Sequence, residues 1–158
     1  MSRFYYYLKV YILSIEFFLI LSSSLLFFVF GGDVDVLIKD AKIDPDFIKY
    51  LVLLPVSFFV WIVKEAKDMI VAEKDHLKIL VNWPDYHKFK IHVNASLVFS
   101  LFFVLMSCVP CLGIFPVKSA VSVFFLATGI VGGFVVAAVI YFAQISLKEI
   151  FNKDWRVS

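Results

Sequence analysis

The chain has 158 residues, enough for one domain, and 62% of them are hydrophobic. With a mean hydropathy of +0.93, that composition excludes an ordinary soluble protein and predicts apolar runs long enough to cross a membrane. The formal charge of +2, with no basic patch laced with aromatics, excludes direct nucleic-acid binding and leaves the lipid bilayer as the partner that composition points to. The 19 Phe supply bulk that packs on lipid and on neighbouring helices. No internal repeat or low-complexity linker divides the chain, so residues 1–158 are read as a single domain.

The first apolar run, about residues 5–30, is too long for the core of a signal peptide and lacks a small-residue cleavage site. It is therefore read as a retained span. Tyr5, Tyr6, Tyr7 and Tyr11 gather at its start, where an aromatic belt would sit. Gly31-Gly32 is expected to end it. An acidic loop follows from Asp33 to Asp46, with five Asp against Lys39 and Lys42. Pro45 and Asp46 then open a second span, residues 47–63, in which Pro55 is expected to kink the helix and free a carbonyl.

Residues 64–90 form the only long polar segment. Ala66, Met69, Ile70, Leu77, Leu80 and Val81 recur at three- and four-residue spacing, with Lys67, Asp68, Lys74, Asp75 and Lys78 on the other side. That is the pattern of an amphipathic helix. Nothing interrupts it before Asn82, so the helix from Phe47 is predicted to run ~54 Å at 1.5 Å per residue. Against a hydrocarbon core of ~30 Å, about half would stand out as a stalk. Pro84 stops it, because the residue before a proline is pushed out of the helical region. Trp83-Pro84-Asp85-Tyr86 reads as a turn, with Asp85 placed to cap the next helix. The result is a helical hairpin whose apolar stripe needs a partner. The returning arm, a neighbouring copy, a separate cytoplasmic protein and the headgroup layer are the alternatives. Trp83, Asp85, Tyr86 and His87, at the turn, are the candidate docking residues.

The third span is predicted over residues 91–112 and the fourth over 119–147, joined by a tight connection from Gly113 to Lys118. The fourth exceeds the minimum length and must tilt or project at one end. Arg3 and Lys9 precede the first span, six Lys lie in the central segment, and Lys148, Lys153 and Arg156 follow the fourth. The two opposite loops hold only Lys39, Lys42 and Lys118. The four apolar runs predict an all-α membrane protein of four transmembrane helices, and the positive-inside rule orients it. Both termini, and the hairpin of residues 64–90 between spans two and three, are expected in the cytoplasm.

Glu16 falls about a third of the way into the first predicted span, where an ionisable group is costly and marks a functional position. It could line a water-filled path, release a proton or hold a subunit contact. The structural alternative pairs it with a polar group on a neighbouring helix. Gln144, at comparable depth on the fourth span, is the partner expected, with Lys9 or Lys64 as charged alternatives. Gly129, Gly133 and Ala137 are four apart on one face of the fourth span, a spacing that lets helix backbones approach closely. Either the first span or another copy could fill that face.

Cys108-Val109-Pro110-Cys111 places a CxxC at the outer end of the third span, a spacing that suits dithiol–disulfide exchange. The plainer readings are two buried thiols or one structural bridge beside Pro110. His76, His87 and His92 lack metal-site spacing, since His87 and His92 are five apart and not on one helical face. No phosphate loop, nucleophile–base set or cofactor motif is present, so no metal, cofactor or enzymatic activity is expected.

Three resemblances bear on function. The placement of Cys108 and Cys111 is similar to that in the bacterial disulfide bond protein B family and its vitamin K epoxide reductase relatives, which relay electrons through a second cysteine pair. This chain has only two Cys and lacks that relay. The four-span layout, with Trp83-Pro84-Asp85-Tyr86 in its hairpin, resembles the membrane effectors of bacterial anti-phage systems, such as the four-span component of Kiwa or those paired with retrons. The opening Arg3-Phe4-Tyr5-Tyr6-Tyr7-Leu8-Lys9 is similar to that of immunity proteins against pore-forming colicins.

What the second resemblance implies is a non-enzymatic, multi-pass protein of the bacterial inner membrane. It would assemble with copies through the fourth span, dock a cytoplasmic partner and perturb membrane integrity as a defence effector or anchoring component. The alternatives are an immunity protein against a pore-forming toxin and a membrane thiol–disulfide oxidoreductase using Cys108 and Cys111.

Overall fold

A computed structural model describes residue 10 and residues 14–40, 45–70, 85–116 and 119–154. Among the described residues the chain is all-helical. Helix α1 spans Ile15–Asp40, α2 Pro45–Ile70, α3 Tyr86–Cys108 and α4 Ala120–Asp154, and a 3-10 turn over Val109–Leu112 extends α3. Three of these segments are long and apolar enough to cross a membrane: Ile15–Ile38, Tyr86–Leu112 and Ala120–Glu149. Their outer faces agree with a membrane protein. Large apolar side chains stand exposed along them, Phe28 at 86% and Leu25 at 67%.

Helix α1 begins at Ser14, whose Oγ accepts the Phe17 N–H at 3.2 Å and so satisfies one of the free donors of the first turn. Contrary to the sequence expectation, Gly31-Gly32 does not end this helix. Each interior glycine costs about 0.5–1 kcal/mol relative to alanine. Breaking the helix in apolar surroundings would strand backbone donors and acceptors at several kcal/mol each. The chain therefore stays helical, and the Phe27 ring lies over Gly31, 3.3 Å from where a Cβ would stand. The acidic stretch read as a loop is consequently helical as far as Asp40 and again from Pro45.

Asp35 uses that extra length. Its Oδ1 accepts the Ala120 N–H at 2.5 Å, so a carboxylate on α1 caps the first turn of α4, where the helix dipole favours negative charge. Ser119 adds a local cap by accepting the Ser122 N–H at 3.2 Å, and the Ser122 hydroxyl donates to the Pro116 carbonyl at 2.9 Å. Gly113, at φ 69°, takes the left-handed conformation that ends the 3-10 turn and opens this connection.

Helix α4 packs on all three others, while α3 also packs on α2 and α1 packs mainly on α4. The pairings give an up-and-down bundle. Ser23 is hydrogen-bonded to Thr128, Gly129 meets Ser107, and Gly133 meets Phe58. The core runs along the shared seam and includes Ile62, Ala66, Met69, Val93, Phe103, Val136, Ile140 and Leu147. Its upper members explain why α2 and α4 are longer than a span requires. Ala66 and Met69, from the predicted amphipathic stripe, are buried with Val93 of α3 and Leu147 of α4. The returning arm and α4 thus cover this part of the stripe, while Leu77, Leu80 and Val81 lie outside the described residues.

The small face of α4 is filled from within the chain, by α3 and α2. A Cβ on Gly129 would stand 2.6 Å from the Ser107 Cβ and 2.8 Å from the Phe103 carbonyl oxygen; one on Gly132 would enter the Phe103 ring. A Cβ on Gly133 would lie 3.3 Å from the Phe58 ring and 3.7 Å from the Pro55 Cα. Ala137 packs against the same core. Gly129→Ala is therefore expected to lower stability in detergent by about 1–3 kcal/mol through overpacking. Gly32→Ala, with nothing within 4 Å of the new methyl, should raise it by about 0.5–1 kcal/mol. Unfolding titrations of the two variants check both signs.

Candidate functional site: two polar pairs between the helices

Two carboxylates stand in the bundle between long apolar helices. Glu16 is in the first turn of α1 and only 4% exposed. The Ser96 hydroxyl of α3 donates to its Oε1 at 3.3 Å. This places Glu16 at the beginning of the described helix, with the positive end of the helix dipole beside it. The predicted partner is corrected as well. Gln144 does not pair with Glu16; its Nε2 donates to Glu65 Oε2 on α2, at 2.5 Å. Helices α2 and α4 run parallel with Gly133 set beside Pro55, so Gln144, three turns further on, comes level with Glu65. Lys64, the charged alternative, is exposed, and Lys9 lies outside the described residues.

Ser96 belongs to a row on α3. Ser96, Ser100, Phe103 and Ser107 recur at four, three and four residues and are all buried. Ser107 donates to its own helix at the Val104 carbonyl, 2.7 Å away, whereas the Ser100 Oγ has no partner among the described residues. Small hydroxyl residues let α3 approach α4 closely and still satisfy most of their polar atoms locally. On the other side of α4, the paired hydroxyls of Ser23 and Thr128 border a cleft of about 220 Å³ between α1 and α4, walled by Phe27, Phe124 and Phe125.

Of the predicted docking residues, Asp85, Tyr86 and His87 sit together at the start of α3. Asp85 sits at the N-cap position of α3 but makes no side-chain cap bond. Its carboxylate instead accepts Lys88 Nζ at 2.6 Å, because Lys88 lies one turn on and offers full charge complementarity. Tyr86 is half-buried and its hydroxyl reaches the Ile70 carbonyl at 3.5 Å, tying the start of α3 to the end of α2. His87 is exposed, and Trp83 lies outside the described residues. Cys108 and Cys111 are free thiols, the first half-buried and the second exposed. Among the described residues no group of three or more His, Cys, Asp or Glu side chains could hold a metal ion.

Three polar residues at these contacts are not among the site residues that the sequence predicts: Ser96, Glu65 and Asp35. Ser96 was legible as part of the four-three-four row of α3. Glu65 flanks the buried positions Ile62, Ala66 and Met69, which puts it at the edge of the packed face. Asp35 lies beyond the helix end that Gly31-Gly32 predicts, so the sequence carries no signal for its contact with Ala120. Compared with protein-family models, curated proteins and solved structures, the chain gives no match.

The pairing makes a quantitative prediction. In double-mutant cycles, Glu65→Ala with Gln144→Ala should show a coupling energy of about 0.5–2 kcal/mol. Glu16→Ala with Gln144→Ala should be additive within about 0.5 kcal/mol. Both are read from unfolding in the same detergent.

Proposed function

We propose that this chain is a non-enzymatic protein of the bacterial inner membrane. It crosses the bilayer four times, with both termini and the connection between α2 and α3 in the cytoplasm. Its role is that of an effector or anchoring component of an anti-phage system. The described lysines support this orientation. Lys64 and Lys67 near the end of α2, Lys88 and Lys90 at the start of α3, and Lys148 on α4 fall at one end of the bundle, whereas Lys39 and Lys49 fall at the other together with Asp33 and Asp35. Residues 47–63 of α2 supply the second span, laid along α4.

Buried Glu16 is the observation that carries the functional reading. A buried carboxyl in a bundle of this hydropathy, which among the described residues meets the Ser96 hydroxyl at 3.3 Å, is expensive to keep and contributes little to packing. Its use is in a change between two arrangements of α1 against α3, one sealed by the Glu16–Ser96 contact and one that admits water. The end of the bundle carrying the lysines receives the cytoplasmic partner that biases the change. Since the small face of α4 is filled within the chain, contact between copies falls to the outer face of α1, where Phe18, Leu21, Leu25 and Phe28 are exposed.

In cells carrying the complete, triggered system, this reading predicts loss of membrane potential, measured with a voltage-sensitive dye. Glu16→Ala should weaken the depolarisation at equal protein abundance. An active system that leaves the potential unchanged contradicts the permeability role. Reporter fusions at residue 158 and between residues 71 and 84 test the orientation separately, and both should report cytoplasm.

A further inference from the structure

Cys108 is the last residue of α3, and Cys111 lies three residues on, in the 3-10 turn. The backbone is right-handed through Cys108 (φ −78°, ψ −18°) and Val109 (φ −52°, ψ −44°). Helical geometry of either kind then sets the two Cα atoms about 5–6 Å apart. A disulfide spans about 4.4–6.8 Å between Cα atoms, so the chain need not move far to close one. The thiols are unequal in access. Cys111 is exposed, while Cys108 packs against the cluster of Ile48, Val52 and Leu126. Pro110, buried between them, holds its φ fixed and stiffens the turn.

We propose that Cys108 and Cys111 form a dithiol site that closes to an intramolecular disulfide by exchange with an external disulfide. The exposed Cys111 thiolate attacks one sulfur of R–S–S–R′, forming a mixed disulfide and releasing R′–S⁻. The Cys108 thiolate then attacks the Cys111 sulfur and expels R–S⁻. Two electrons pass from the chain to the external disulfide, and the two protons lost by the cysteines go to the two thiols released.

The site's place in the fold sets its direction. Reactive CxxC thiolates are held at helix N-termini, where the helix dipole is positive. This pair sits at the opposite, carbonyl end of α3, which favours the closed bond over an exchange-active dithiolate. The bond acts as a clasp fastening the last turn of α3 to the turn that leads through Gly113 towards α4, and not as a recycling oxidant. This inference is independent of the permeability reading, since it needs neither Glu16 nor a partner protein.

The test uses the purified full chain in detergent and oxidised glutathione as the disulfide, with free thiols counted by maleimide mass tags and intact mass. The wild type should lose both tags and two hydrogens, keep no glutathione, and stay bridged when reduced glutathione is in about tenfold excess. Cys108→Ser should retain one stable glutathione on Cys111, and Cys111→Ser should react on the order of tenfold more slowly, because its remaining thiol is half-buried. Two tags on the treated wild type, a lasting glutathione adduct on it, disulfide-linked dimers, or equal rates for the two serine variants would each overturn the proposal.

Discussion

The close approach of α3 and α4 at Gly129 and Gly132 is the contact on which the rest of the bundle depends. Phe103 is fully buried because Gly132 leaves room for its ring, and Ser107 lies one turn further on against Gly129. In lipid no hydrophobic force drives helices together, so shape fit of this kind and the contacts it permits supply the cohesion. The consequences extend along α3. Two turns from Phe103 on the same face, Ser96 faces the interior at the level where α1 begins, which is how a hydroxyl reaches Glu16. On the far side of α4, Gly133 admits Pro55 and Phe58, and that seating brings Glu65 level with Gln144.

Each polar pair therefore inherits its geometry from apolar packing elsewhere. Asp35 works in the other direction: by accepting the Ala120 N–H it satisfies the start of α4 and anchors α1, which among the described residues packs mainly on α4. A helix that packs mainly on one neighbour and exposes most of its apolar side chains suits movement against the bundle. On the function proposed above, the Glu16–Ser96 contact, reaching from α1 to α3, registers that movement.

Much of this architecture was legible in the sequence because it follows from periodicity. The helices of the last two predicted spans, the start of α3 at Tyr86 and the buried stripe through Ala66 and Met69 come from spacing that any helix must obey. What was not legible depends on the order of the helices in space. Glu16 and Gln144 looked like partners because each is polar and at a similar nominal depth. With α1 starting at Ile15 and α2 parallel to α4, however, each meets a different neighbour. Gly31-Gly32 misled for a related reason, since glycine ends helices readily in water but has little alternative within apolar surroundings. The glycines of α4 announced a close contact without saying whose, and the steric answer, Phe103, Ser107 and Phe58 of the same chain, needed the fold.

The most direct measurement of this account is a double-mutant cycle between Gly132 and Phe103, read from unfolding of the full chain in detergent. Gly132→Ala alone should be destabilising because the new methyl meets the ring, and Phe103→Ala alone because it leaves a cavity. Together they should cost at least about 1 kcal/mol less than their sum, the methyl now occupying space the ring has left. Additivity within about 0.5 kcal/mol would show that α3 and α4 do not meet at this point, and the placement of both polar pairs would fall with it.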